Sequence, residues 1–133
     1  LGAAPGVAQR AIDNVSAQVG VLNIAGIHDG FFDSAEEQEI IKSIADSKAK
    51  LVFVALGVPK QEQWIAEKLS HLDGVVAIGI GGSFDVLAGN IPRAPEWMQQ
   101  NRLEWLYRLY LEPQRIGRML AIPKFMWTVI RNK

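Results

Sequence analysis

Three apolar runs that alternate with helix-like stretches limit the fold of this chain more than any other feature. The runs are VGVLNIAGI (19–27), LVFVALG (51–57) and VVAIGIGG (75–82). The segment FFDSAEEQEIIKSIADSK has a helical pattern before the second run, and PKQEQWIAEKLSHL has one before the third. Strands separated by helices pair in parallel through right-handed crossovers. The sequence therefore predicts an open α/β sheet with parallel strands, and the continuous apolar runs predict that both faces are covered.

Local signals indicate where the helices begin. Pro5 is acceptable in the first turn of a helix over Pro5–Gln18, and Pro59 near the first position of a helix over 59–70. Ser34 with Glu37 predicts a capping box. The opening LGAAPG has the pattern of a strand end followed by a turn, so we expect the chain to be part of a longer protein.

The charges divide unevenly along the chain. Residues 1–90 hold 6 Lys/Arg and 11 Asp/Glu, whereas residues 91–133 hold 8 Lys/Arg and 3 Asp/Glu. Such asymmetry favours an anionic partner for the tail, although the two halves can also attract each other within the fold. The pattern after residue 90 predicts short helices over 94–101, 103–112, 114–121 and 123–131. The segment LEWLYRLYLEPQRIGRM (103–119) fits either an amphipathic helix on a core or a segment that binds an anion.

Composition excludes several classes of site. The chain has no cysteine and only two histidines, so disulfides and thiolate metal sites are excluded and a zinc site is not expected. No apolar run approaches the roughly 20 residues that a membrane-spanning helix needs.

Three loops follow the predicted strands and should open at one edge of the sheet. They are HDGFFDS (28–34), GVPKQEQ (57–63) and GIGGSFDVLAG (79–89). Ligands of open parallel sheets bind beyond the carboxyl ends of the strands. Glycines beside helix starts suit phosphates or a nucleotide, but neither G-x-G-x-x-G nor the P-loop pattern is present.

Two polar residues in these loops are candidates for ligand contact. Asp85 can bind ribose hydroxyls or take a proton, or it can cap a short helix over 86–89. Gln61 can reach a ligand from the start of its helix, or it can be a solvated surface residue.

The motifs GVPKQEQW, GIGGSFDVLAG and RAPEWMQQNRLEWLYRLYLEPQR together resemble the WecG/TagA/CpsF glycosyltransferases. The resemblance covers essentially the whole chain and implies a Rossmann-like sheet with a C-terminal helical appendage. It implies a hexosyltransferase that moves a sugar from a UDP-sugar to a polyprenyl-diphosphate-linked sugar, with inversion and without a metal or cofactor. In the best-known case UDP-N-acetylmannosamine and undecaprenyl-diphosphate-linked N-acetylglucosamine react in teichoic acid synthesis.

The resemblance also implies roles for individual residues. Gln61 matches a residue close to the sugar diphosphate, Asp85 one that bonds the uridine ribose, and Gly30 and Phe31 part of the uridine pocket. Three basic residues match arginines that close over the diphosphate: Arg108, Arg115 and Arg118. Gln61, Arg115 and Arg118 are therefore the expected catalytic residues. The arginines should converge with Gln61, or they can lie with their charges at the rim of an apolar face.

The chain departs from the family's motifs at several positions. Asp29 and Phe31 stand where HHGYF is common, and Arg102 replaces a glycine before LEW. The resemblance implies that the catalytic base is an aspartate upstream of Leu1, so we expect the chain alone to be inactive. Residues 1–90 would bind the nucleotide-sugar. Residues 91–133 would form the appendage, with 103–133 meeting the cytoplasmic face of the membrane or docking on the sheet or a second subunit.

Two other functions fit part of the pattern. A Rossmann-type NAD-binding oxidoreductase needs a ribose-binding acid, for which Asp29 is the nearest candidate. A non-enzymatic adaptor would dock on a membrane or nucleic acid through 103–133. Under the glycosyltransferase hypothesis nucleic acid is not expected as a partner, and the oligomeric state stays open.

Overall fold

The computed structural model describes residues 1–111 together with Pro113, Trp127, Val129 and Arg131, and for Arg108 it describes the backbone only. The chain forms two compact units, Leu1–Pro92 and Arg93–Lys133. The predicted functional roles of residues 1–90 and 91–133 stay predictions, because a division into compact units does not show what each unit binds.

Helices and strands alternate along the first unit. Helix α1 (Val7–Val19) and helix α2 (Ser34–Ser47) precede strand β1 (Leu51–Val54). Helix α3 (Lys60–Trp64) continues directly into a π-helix, π1 (Ile65–Leu69). Strand β2 (Val76–Gly79) and the short helix α4 (Ser83–Leu87) follow.

The two strands pair in parallel. Leu51 lies opposite Val76 and Val54 lies opposite Gly79. The connection between them contains α3 and π1, which is the β-α-β arrangement that the sequence pattern predicts. The predicted α/β class with an open parallel sheet is therefore confirmed.

The segment 19–27, predicted to be a strand, is not one in this structure. Val19 is the last residue of α1, and residues 20–27 have no strand partner. The side chain of Val21 is fully exposed. Periodicity indicates the apolar character of a strand, but a strand also needs a neighbouring backbone edge for its hydrogen bonds. Within the described residues that edge is absent for this segment.

The core lies on one face of the sheet. Val52 and Val54 of β1 are buried together with three residues from the covering helices, Ile40, Trp64 and Leu69. On the other face the alternate residues of both strands are exposed, including Leu51 (47%), Phe53 (42%), Val76 (59%) and Ile78 (42%). The expectation that both faces are covered was therefore wrong for the described part of the chain.

The capping box of α2 is one residue earlier than predicted. The Asp33 carboxylate accepts hydrogen bonds from the backbone N–H groups of Ala35 and Glu36, and Glu36 accepts one from the Asp33 N–H. Aspartate caps a helix as well as serine does, and its spacing to Glu36 satisfies the same pattern. Glu37 is thereby free to contact α3 and π1.

The second unit contains helix α5 (Glu96–Gln100) and helix α6 (Glu104–Leu111). Arg102, which connects them, has a positive φ of 58°. Glycine adopts such a backbone more easily, so the arginine at this position departs from what the turn favours. The helices predicted over 114–121 and 123–131 lie almost entirely outside the described residues.

Candidate functional site at the carboxyl edge of the sheet

Backbone hydrogen bonds hold three loops together at the carboxyl edge of the sheet. The Gly2 N–H donates to the His28 carbonyl (2.8 Å), and the Gly30 N–H donates to the Ala3 carbonyl (2.8 Å). The Ala3 N–H donates to the carbonyl of Ala55, the residue after β1 (2.9 Å). The opening turn of the chain therefore lies between the loop 28–34 and the end of β1.

Gly30 and Phe31 lie beside that turn. A Cβ on Gly30 would lie 3.2 Å from the Ala3 carbonyl oxygen, so the glycine permits a close backbone approach. Phe31 is 73% exposed. Its backbone N–H donates a hydrogen bond to the Asp29 carboxylate (2.8 Å). A shallow cleft of about 260 Å³ lies next to them, lined by residues of the opening turn, the start of α1 and the loop: Ala4, Gly6, Ala8, Gln9, Ile27, His28 and Asp29.

Gln61 is a buried polar residue, only 2% exposed. Its side-chain oxygen accepts a hydrogen bond from the Gly81 N–H (2.9 Å), and its Nε2 donates to the Glu62 carboxylate (2.8 Å). Its amide packs on Gly79, where an added Cβ would lie 2.6 Å from Nε2. Gln61 thus joins the start of α3 to the glycine loop after β2, and it is not the solvated glutamine that the sequence also allowed. Its predicted contact with a sugar diphosphate stays a prediction.

Asp85 lies in the first turn of α4 and is partly buried. The helix starts at Ser83 with Gly82 as its N-cap, so the alternative role of Asp85 as the cap of a helix over 86–89 was wrong. The Asn90 side-chain amide donates to one Asp85 carboxylate oxygen (3.2 Å). Arg10 of α1 in turn donates to the Asn90 side-chain oxygen (3.3 Å). This chain of contacts orients the carboxylate.

Glu37 connects α2 to the helix that carries Gln61. Its carboxylate accepts hydrogen bonds from Trp64 Nε1 and from Lys68 Nζ, both at 2.8 Å. The bond from Lys68 is the main cause that lowers the pKa of Glu37, and the bond from Trp64 adds to it. The same bond raises the pKa of Lys68. Both groups are therefore held in their charged forms, and the pair fixes the orientation of α3 and π1 beneath the site.

The predicted arginines cannot be placed at this site. Arg108 is in α6, and its side chain is outside the described part of the structure, as are Arg115 and Arg118 altogether. The expected convergence of these three arginines with Gln61 stays a prediction. Among the described residues no group of three or more His, Cys, Asp or Glu side chains has the arrangement of a metal site.

Several large aromatic side chains are exposed among the described residues of the second unit. The exposed side chains include Trp97 (59%), Trp105 (52%) and Tyr110 (82%). Farther along, Trp127 is also exposed, and the Arg131 guanidinium lies 5.1 Å from the centre of its ring. No helix in the described ranges is long and apolar enough to cross a membrane.

Sequence reasoning missed two parts of this edge. One is the opening turn, where Gly2 and Gly6 have positive φ values of 111° and 75°; the LGAAPG pattern indicated a turn but gave no reason to place it in the site. The other is the support of Asp85 by Asn90 and Arg10, which are far apart in sequence. Such a long-range pair leaves no periodic signal.

Comparison with known proteins identifies relatives along the whole chain. The model of the glycosyl transferase WecG/TagA/CpsF family matches residues 1–133. The N-acetylglucosaminyldiphosphoundecaprenol N-acetyl-beta-D-mannosaminyltransferase of Bacillus subtilis (strain 168) is 42% identical over 132 residues. That match covers 99% of this chain and 51% of the relative.

Two relatives with the same name show the same relation. The protein of Bacillus spizizenii is 43% identical over 133 residues, covering 99% of this chain and 51% of its own length. The protein of Staphylococcus aureus (strain NCTC 8325 / PS 47) is 38% identical over 106 residues, covering 80% of this chain and 41% of its own length. The chain thus spans about half the length of the curated relatives that it matches.

Proposed function

The chain belongs to the WecG/TagA/CpsF family of glycosyltransferases, and from this we propose that it is the donor-binding portion of a UDP-sugar-dependent hexosyltransferase. The proposed donor is UDP-N-acetylmannosamine, and the proposed acceptor is undecaprenyl-diphosphate-linked N-acetylglucosamine. The reaction would serve teichoic acid or surface polysaccharide synthesis. The names of the relatives support the acceptor and the transferred sugar.

The observation that carries this proposal is the joining of glycine loops at one edge of a parallel sheet. The opening turn contacts the loop after residue 27, and Gln61 contacts the loop after β2. Backbone N–H groups at such an edge suit a nucleotide diphosphate, since glycines allow the phosphates close to the main chain. The edge also offers an exposed aromatic ring and an oriented carboxylate.

Each part of a UDP-sugar has a candidate partner in this arrangement. The exposed Phe31 ring suits a flat pyrimidine, which would lie near the cleft beside Gly30. Asp85 has a second carboxylate oxygen to accept from ribose hydroxyls while Asn90 holds the first. Gln61 holds the Gly81 N–H in place at the point where the diphosphate would pass.

The departing diphosphate needs positive charge, because negative charge grows on it as the sugar bond breaks. With no metal expected, we assign this role to arginines, whose guanidinium groups bind phosphate oxygens in pairs and stay charged. Arg115 and Arg118 are the proposed catalytic arginines, and Arg108 would assist in binding. Inversion also needs a base that takes the proton of the acceptor hydroxyl.

The second unit would bring the enzyme to its lipid-linked acceptor. Exposed tryptophan and tyrosine side chains favour the interfacial region of a bilayer, and nearby basic residues add attraction to anionic lipid. We therefore propose peripheral attachment to the cytoplasmic membrane face through residues 103–133. Self-association is an open part of this proposal.

The alternative functions lose support. An NAD-binding oxidoreductase would use Asp29 for the ribose, but the G-x-G-x-x-G pattern of dinucleotide-binding sites is absent from the sequence. The family match favours the glycosyltransferase over both the oxidoreductase and a non-enzymatic adaptor.

Calorimetric titration with UDP and with NAD tests the proposal. We expect UDP to bind and NAD not to bind. Asp85→Ala should weaken UDP binding about tenfold, because it removes an acceptor for the ribose hydroxyls, a change of roughly 1.4 kcal/mol. Asp73→Ala is the matched control, since Asp73 is an exposed aspartate in the turn before β2. Equal UDP affinity of the two variants would remove Asp85 from the site.

A further inference from the structure

The Gln61 amide has a different partner at each of its two ends. Its oxygen accepts the Gly81 N–H (2.9 Å), and its Nε2 donates to Oε1 of Glu62 (2.8 Å). Because the Gly81 N–H can only donate, it requires the amide oxygen on its side and leaves the amide nitrogen for Glu62. Gly79 packs against the same amide, since an added Cβ there would lie 2.6 Å from Nε2. The buried amide therefore holds the Glu62 carboxylate at the carboxyl edge of the sheet.

Glu62 is an exposed residue, yet its carboxylate turns back to a buried amide. The lysines of α3 and π1 lie elsewhere. The Lys60 ammonium is 5.8 Å from the centre of the Phe32 ring, and the Lys68 ammonium pairs with Glu37. Within the described part of the chain Glu62 forms no ion pair, and its side-chain hydrogen bond uses Oε1 only. Oε2 therefore keeps its acceptor positions for a ligand.

An oriented carboxylate at this point is unsuited to the phosphates of a nucleotide. Both groups are negative, so direct contact between them would be repulsive, and a carboxylate has no hydrogen to donate to a phosphate oxygen. Sugar hydroxyls are the opposite case, because an O–H group donates to a carboxylate in a short, charge-assisted hydrogen bond. The chemistry of Glu62 thus suits the sugar of a nucleotide-sugar and not its diphosphate.

The location of Glu62 agrees with this choice. The Gln61 amide lies between the Gly81 N–H and the Glu62 carboxylate, and it hydrogen-bonds to both. In a UDP-sugar the diphosphate joins the ribose to the transferred hexose. A diphosphate that passes Gly81 would therefore carry its hexose one amide group away from Glu62.

We propose that Glu62 is a sugar-binding residue, whose carboxylate is held by Gln61 and accepts a hydrogen bond from a hydroxyl of the donor hexose. The assignment rests on the proposed function, because it needs the diphosphate to lie beside Gly81. It gives Gln61 a second role, since the same amide that anchors the glycine loop also orients the acid that binds the sugar. Glu62 should consequently affect the affinity for the UDP-sugar and not the affinity for UDP.

Calorimetric titration of the chain with UDP and with UDP-N-acetylmannosamine tests the assignment. We expect Glu62→Ala to weaken the binding of UDP-N-acetylmannosamine about tenfold and to leave the affinity for UDP unchanged or slightly higher. Glu62→Gln should lose less, because its amide oxygen still accepts a hydrogen bond but carries no charge. The matched control is Glu67→Ala, which replaces an exposed glutamate of π1 and should bind both ligands as the unaltered chain does.

An equal loss of affinity for the two ligands in Glu62→Ala would overturn the proposal, because Glu62 would then act on the nucleotide through Gln61 alone. Unchanged affinity for both ligands would overturn it as well. These results leave the proposed function intact, since UDP still binds to the unaltered chain. If the unaltered chain binds neither ligand, the proposed function fails, and the role of Glu62 fails with it.

Discussion

Replacing Gln61 by leucine tests how the candidate site is held together. The amide oxygen of Gln61 is the acceptor for the Gly81 N–H, and the residue is 2% exposed. Leucine has a similar size, so little cavity forms. The Gly81 N–H, however, would lose its partner in a partly buried position, at a cost of about 1–3 kcal/mol. Loss of the bond to exposed Glu62 adds less.

We therefore expect Gln61→Leu to lower the free energy of unfolding by about 2 kcal/mol, which corresponds to a fall in Tm of roughly 7 °C for a chain of this size. Urea unfolding followed by circular dichroism measures the change. Gln63→Leu is the matched control, because Gln63 is an exposed glutamine of the same helix. If Gln61→Leu is no more destabilising than Gln63→Leu, the reasoning that Gln61 anchors the glycine loop is refuted.

Three other predictions follow from the described contacts. Glu37→Gln should destabilise the protein at pH 7 but much less in acid, because the bond from Lys68 holds the pKa of Glu37 below its usual 4.5 and the stabilisation is lost as the pH falls through that lowered pKa. Unfolding curves at pH 7 and through the acid range measure this, and an effect that does not change with pH would contradict it. Gly30→Val should weaken UDP binding by about tenfold or more, since the new Cβ would press on the Ala3 carbonyl oxygen at 3.2 Å. Calorimetry measures the affinity, and an unchanged affinity would exclude a close approach of the nucleotide to Gly30. Tyr110→Ser should reduce retention on anionic vesicles without changing Tm, because the ring is 82% exposed; equal sedimentation with the vesicles would remove Tyr110 from the membrane surface.

The β-α-β pattern around Gln61 was predictable because its signals are local. LVFVALG and VVAIGIGG each contain a strand, and Pro59 immediately precedes α3. The loops after both strands could therefore be placed at one edge from the sequence alone. The capping box was displaced by one residue because both Asp33 and Ser34 have a glutamate three residues later, and aspartate took the cap.

What could not be predicted depends on distant partners. Residues 20–27 have the composition of a strand, but composition does not supply a neighbouring edge. The burial of Gln61 depends on Gly79 and Gly81, which are distant in sequence and leave room for its amide. The contact of Arg10 with Asn90 spans eighty residues and could not be inferred from spacing.

The roles of the arginines rest on the family pattern rather than on geometry. Arg115 and Arg118 are not among the described residues, and only the backbone of Arg108 is described. Their substitution to alanine is therefore informative in the full-length enzyme, where turnover can be measured. Unchanged turnover in both Arg115→Ala and Arg118→Ala would remove them from catalysis.

The central claim is that the carboxyl edge of the sheet binds the nucleotide of a UDP-sugar. Mapping backbone amide shifts by NMR during a UDP titration tests it most directly. We predict that the largest shifts fall on Gly30, Phe31 and the loop from Gly81 to Asp85, and that NAD leaves these amides unchanged. Shifts confined to the opposite edge of the sheet, or a response to NAD and not to UDP, would contradict the assignment.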